Sequence, residues 1–211
     1  MRDDQLTAKR LPPAARISML QINFRRLIVA GAATVLFWFT PNAGAQELTA
    51  CGIVSASDAE SFVGGPLTVS KIDKKIMINA PWTHDSLCTY VAQGEDVESP
   101  AGANRFLDLA LRFFDSTEVA QKIHQTMIEQ FRKLAAEPDA PFKFITMAPL
   151  EGFDGTAFLL EVITDAASEY KSAQVLFYKN KIGGSIAAWK KPDSSLETTK
   201  TVLKHILSKL P

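Results

Sequence analysis

Residues 105–136 read RFLDLALRFFDSTEVAQKIHQTMIEQFRKLAA, and the period of the apolar side chains changes partway along. From Arg105 to Phe114 apolar and polar residues alternate. Leu107, Leu109, Leu111 and Phe113 fall on one face, with Asp108 and Arg112 on the other. A period of two is that of a strand with one face on a core. After Asp115 the period lengthens, and Val119, Ile123, Met127, Phe131 and Leu134 make one apolar stripe at helical spacing. Asp115 with Glu118 opens this helix, predicted over 117–136, and Pro138 lies just past its end.

The same reading extends outward. Ser57-Asp58-Ala59-Glu60 has the pattern of a capping box, opening a short helix that ends at Gly64-Gly65 before Pro66. Residues 67–72, 75–79 and Leu87 to Ala92 read as strands. A second set is predicted at 142–147, 157–164 and 174–189, the last holding a hairpin around Lys179-Asn180-Lys181. Ser194 with Glu197 gives another capping box, and Leu196, Leu203, Ile206 and Leu210 stripe a terminal helix. Strands grouped in runs between helices predict an α+β fold, an antiparallel sheet or sheets packed with about three helices. The two halves share an outline of a helix followed by about three strands, a candidate two-fold repeat. The acidic stretch Gly94–Gly102 is the longest predicted loop.

Ahead of this lies a secretory pattern. Arg25-Arg26 precedes the apolar run Leu27 to Phe39, Pro41 breaks it, and Ala43-Gly44-Ala45 supplies the small-x-small site, so cleavage is expected between Ala45 and Gln46. The run is short for a spanning helix, which needs about 20 apolar residues. Residues 1–45 are therefore a signal segment and 46–211 a single globular domain; residues 1–18 make a long n-region, with Met19 as the alternative start. An uncleaved membrane anchor is the minor alternative. So is lipidation at Cys51, because Leu48-Thr49-Ala50-Cys51 resembles a lipobox. Of 23 basic and 23 acidic groups, the leader holds six and two, leaving the domain mildly acidic. That argues against nucleic acid, which needs clustered Lys and Arg, and the membrane is expected to be met only through the signal segment. Cys51 and Cys88, the only cysteines, both follow the cleavage site. In an oxidising compartment an even pair is most simply a disulfide, with free thiols or a lipidated Cys51 as alternatives.

Cys51-Gly52-Ile53, the helix Ser57 to Gly65, Leu87-Cys88-Thr89-Tyr90, Gly155-Thr156-Ala157-Phe158 and the helix Thr199 to Leu210 together resemble a group of small exported bacterial domains of unknown function. Many of these are lipoproteins, and their layout is similar to PsbP-like α/β/α sandwiches. The resemblance implies an accessory or binding module and the Cys51–Cys88 disulfide. It brings no catalytic residues.

Candidate chemistry is sparse. His84, His124 and His205 lack metal-ligand spacing, and His124 and His205 are expected on solvated or boundary helix faces. His84-Asp85-Ser86 holds triad residue types in a row, which reads as a turn, since triads need opposed side chains. Gly183-Gly184-Ser185 is not a phosphate loop and more simply marks a bulge or close backbone approach. No cofactor, metal or catalytic residue is therefore assigned. Trp82 and Trp189 are the candidates for a binding surface. The expected function is a periplasmic or secreted, non-enzymatic binding or accessory module of the cell envelope, whose partner is an envelope protein or a small ligand. The alternative is a hydrolase-type periplasmic enzyme whose site assembles only in three dimensions.

Overall fold

The alternating segment forms strand β3 (Arg105–Phe113), in the interior of an antiparallel sheet. The computed structural model of the chain describes residues 48–75, 82–95, 103–138, 143–163 and 170–211, with 71–75 as backbone only. The leader with its Ala45–Gln46 junction, the strand expected over 76–79 and most of the Gly94–Gly102 loop lie outside the described residues. The other strands are β1 (Leu67–Lys75), β2 (His84–Ala92), β4 (Lys143–Pro149), β5 (Ala157–Ile163), β6 (Lys171–Lys179) and β7 (Ile182–Lys190). They run in the order β1-β2-β3-β7-β6-β5-β4, with every neighbouring pair antiparallel. The fold is α+β, as the grouping of strands implies.

Leu107, Leu109 and Leu111 are buried on one face of the sheet, against Ile53 of helix α1 (Ala50–Ile53), Ala59 and Val63 of α2 (Ala56–Val63), and Val202, Leu203 and Ile206 of α4 (Ser195–Lys209). The face bearing Asp108 and Arg112 is covered as well. Helix α3 (Thr117–Ala135) lays Met127, Ile128 and Phe131 over Phe158, Leu160 and Leu176. Met127 and Phe131 of the expected apolar stripe meet the sheet, half-buried, while Ala120 and His124, outside that stripe, are the buried residues of α3.

Local details depart from expectation in five places. Residues 67–75 form one strand without a break at Asp73-Lys74, since β1 pairs continuously from Leu67 opposite Ala92 to Lys75 opposite His84. Among the described residues the second half holds four strands to the first half's three. The box that caps α2 is Ser55 with Asp58, each side chain meeting the other's backbone N–H, instead of Ser57 with Glu60. Ser116 is the N-cap of α3 in place of Asp115, and Ser194 at the N-cap of α4 makes no side-chain cap bond. The hairpin at Asn180 is present, with φ of +52°. Gly64 closes α2 with φ of +85°.

The Cys51–Cys88 disulfide is formed, with the Cα atoms 5.3 Å apart. It ties α1 to β2. The Tyr90 hydroxyl, donating to Val54 O, fixes the adjoining turn.

Candidate ligand-contact site where the sheet forks

From their turn, β6 and β7 pair regularly as far as Gln174 opposite Ala187, and there their ladder stops. Beyond that point β7 continues on β3 to Lys190 opposite Arg105, and β6 continues on β5 to Lys171 opposite Ile163. The sheet thus divides into two wings. Ala173 and Ala188 are the next backbone pair, and two buried hydroxyls of α4 stand between them. Ser195 Oγ accepts from the Ala173 N–H at 3.0 Å and donates to Ala188 O at 2.9 Å. Thr199 Oγ1 accepts from the Ala188 N–H at 3.1 Å, and its own hydrogen faces the carbonyls of Ala188 (3.0 Å) and Ala173 (3.4 Å). An unpartnered buried backbone group costs about 1–3 kcal/mol. These two hydroxyls therefore make the fork tolerable by standing in for missing ladder bonds.

On the α3 side, register lines up Ser70, Thr89, Asp108, Ala187 and Gln174 across β1, β2, β3, β7 and β6. Ser70 and Thr89 are half-buried; Asp108, Ala187 and Gln174 are buried. Asp108 is 4% exposed. Thr89 Oγ1 donates to its Oδ1 at 2.5 Å from the β2 side, while Oδ2 has no hydrogen bond. Burial pushes this carboxyl up to about 6, against the pull of the Thr89 bond. Trp189, two residues beyond Ala187 on the same face, stacks on Phe106 with ring centres 4.1 Å apart, and its indole N–H donates to Ala103 O at 3.0 Å. Ser172 stands across the fork on β6. At the rim, the Tyr170 hydroxyl donates to Asp193 O at 2.9 Å and the Lys191 ammonium lies 5.2 Å over its ring. The fork thus brings together two buried hydroxyls of α4 on one face of the sheet and, on the other, a stacked aromatic pair and one half-satisfied carboxyl.

The residues singled out from sequence are not gathered here, apart from Trp189. That tryptophan is 7% exposed. Trp82 lies at the opposite end of the sheet, before β2, with the Arg112 guanidinium 4.7 Å from its ring centre. His84 and Ser86 share one strand face and Asp85 takes the other, so the three cannot converge. The His84 ring leans on Phe113, Ser86 Oγ accepts from the Ala50 N–H at 2.8 Å, and Asp85 meets Arg112 Nε at 3.1 Å. Burial raises the Asp85 carboxyl even against that guanidinium. His124 is not on a solvated or boundary face. It is 7% exposed against the Tyr178 ring, and desolvation lowers it to about 4. His205 does sit at a boundary, edge-on to Phe62, with Nε2 3.6 Å from Asp58. The Asp58 carboxyl is held well below its usual range, first by hydrogen bonds from Ser55 and further by Lys209. Among the described residues no three His, Cys, Asp or Glu side chains group to hold a metal ion.

Asp108, Gln174, Ser195 and Thr199 escaped the sequence reading. One signal was present: Ser195 and Thr199, four apart, fall on the buried stripe of α4 that Val202, Leu203 and Ile206 continue.

No protein-family model and no curated protein matches the chain. Its fold is similar to that of the extracellular domain of PknH from Mycobacterium tuberculosis, with a TM-score of 0.59 over 79% of this chain and 96% of that one, at 10% sequence identity.

Proposed function

We propose that this chain is an exported, non-enzymatic binding module of the cell envelope, and that the fork between β6 and β7 is where it meets its ligand. The observation that carries the reading is the half-satisfied Asp108 carboxyl, buried beside an interruption of the ladder that α4 is built to maintain. A sheet face that served only as core would carry apolar side chains at Asp108 and Gln174, because burying polar groups costs free energy unless they are partnered. Export is supported by the leader pattern and by the Cys51–Cys88 disulfide, which suits an oxidising compartment. It is supported too by the likeness to an extracellular domain. The hydrolase alternative draws no support, since His84, Asp85 and Ser86 point to different faces.

Two measurements test the reading. Mass spectrometry of the protein recovered outside the cytoplasm should find a chain beginning at Gln46 with Cys51 joined to Cys88. An intact leader with free thiols in the cytoplasm would count against export. Hydrogen exchange with and without envelope extract should show ligand-dependent protection at 172–174 and 187–189. Unchanged exchange throughout the domain would defeat the binding reading.

A further inference from the structure

The disulfide joins two cysteines in unlike surroundings. Cys88 lies on β2 with no exposed surface, in the core cluster that holds Tyr90, Leu107 and Leu109. Cys51 lies on α1, a helix of four residues, and keeps part of its surface in solvent. Disulfides open when a thiolate attacks one sulfur and expels the other, and access selects the sulfur attacked. Here that selection falls on Cys51. Opening the bond leaves the other anchors of α1 in place. The Ala50 N–H donates to Ser86 Oγ at 2.8 Å, the Tyr90 hydroxyl donates to Val54 O, and Lys209 Nζ donates to Ile53 O at 2.9 Å. Ala50, Ile53 and Val54 are themselves buried. These contacts contain no sulfur, and they hold α1 against the sheet with Cys51 opposite Cys88.

We infer that Cys51 is a thiol-exchange site, where a thiol from outside the domain forms a mixed disulfide and Cys88, expelled into the core, later reseals the bond. In the first step the thiolate bonds to Cys51 Sγ. The Cys51–Cys88 bond breaks, and its electron pair leaves on Cys88 Sγ, which takes up the proton that the thiol gave up. One S–S bond forms and one breaks, so the step carries no net oxidation. In the return step Cys88 gives up that proton and attacks Cys51 Sγ, and the mixed bond breaks to release the thiol. The return is intramolecular, because the remaining anchors of α1 keep the two residues opposed. Complete reduction takes a second equivalent of thiol, which attacks the adduct, leaves Cys51 as a thiol and departs as the oxidised dimer.

Glutathione added to the oxidised exported protein, followed by an acid quench and peptide mapping by mass spectrometry, tests it. In the native protein the adduct should sit on Cys51 in at least roughly tenfold excess over Cys88, because only Cys51 is within reach. In denaturing urea the same reaction should divide about evenly between the two, since neither is then covered. On removal of free glutathione the native adduct should be lost and the Cys51–Cys88 bond recovered, whereas the adduct on Cys88→Ser should persist. The thiol of Cys88→Ser should react with iodoacetamide at least roughly tenfold faster than that of Cys51→Ser. Wild-type mapping decides alone if either variant fails to unfold cooperatively. An adduct shared evenly in the native protein, or found on Cys88, overturns the inference. So does a bond that glutathione opens only at the rate of global unfolding. A wild-type adduct as persistent as that of Cys88→Ser overturns the resealing role of Cys88.

Discussion

Asp108 and His124 lie on the same side of the sheet, and burial moves their protonation in ways that oppose each other in stability. His124 titrates near 4 folded and near its ordinary value of about 6.5 unfolded, so the unfolded chain binds the extra proton in between. Stability from this group is present above pH 6.5 and is lost as pH falls towards 4. Asp108 titrates near 6 folded and about 3.9 unfolded, so here the native state holds the extra proton, and stability is gained as pH falls through 6. Each effect is on the order of 2–3 kcal/mol, and over pH 4–6.5 they offset. We predict that Asp108→Asn exposes a loss of stability on acidification, while His124→Gln exposes a gain. Urea midpoints at pH 4.5 and 7 check both, and parallel profiles for the two variants would contradict the assignment. A second prediction concerns the two glycines of β7. A Cβ on Gly184 would lie 2.2 Å from Ala110 O, a backbone atom of the neighbouring strand, whereas one on Gly183 would meet the Phe114 ring edge at 3.0 Å. Gly184→Ala should therefore cost about 3 kcal/mol, with Gly183→Ala clearly milder because a ring edge can shift and a paired strand cannot. Thermal unfolding of the pair decides it.

At the scale of elements, the α4 hydroxyls make the sharpest test. Ser195→Ala and Thr199→Val each strand a buried backbone amide and should cost about 1–3 kcal/mol by chemical denaturation. The double variant should lose less than the sum, since both act on one gap. Phe131→Ala on α3 should cost about 2–3 kcal/mol, below the figure for a fully buried phenylalanine because the ring is half-exposed. Lys122→Ala on the outer face should stay within about 0.5. Period and turn chemistry made β3, α3, the β6–β7 hairpin and α4 legible, because those signals are local. The close approach at Gly183-Gly184 was legible for the same reason. The caps were harder. Ser55…Asp58 and Ser57…Glu60 both fit the capping pattern two residues apart, and a long-range bond from Tyr90 to Val54 anchors the entrance at the first of them. The candidate site was nearly illegible. Asp108 looks like the polar side of an alternating strand until α3 and the far strands are placed. Ser195 and Thr199 act on Ala173 and Ala188, a contact that only folding creates.

At the largest scale, the described residues form one sheet held between helices, with a disulfide joining α1 to β2. Reducing Cys51–Cys88 opens a loop of 37 positions and should lower stability by roughly 3–4 kcal/mol, measured by denaturation with and without reductant. An unchanged midpoint would mean that α1 is held by packing alone. The staple is not the only bond at this end. Lys209 Nζ donates to Ile53 O at 2.9 Å and meets Asp58 at 3.1 Å, so the last helix lies against the first two. From the other side, Lys179 Nζ donates to the Leu207 and Leu210 carbonyls at 2.9 and 2.6 Å. Early and late segments of the domain are thus neighbours in space. A circular permutant follows: a short Gly-Ser linker from 211 back to 48, with the chain reopened between Asp154 and Gly155, an exposed turn where an added Cβ on Gly155 would meet nothing within 4 Å. In such a chain β5 would leave the ribosome first and β4 last, yet the same edge strand would close the same sheet.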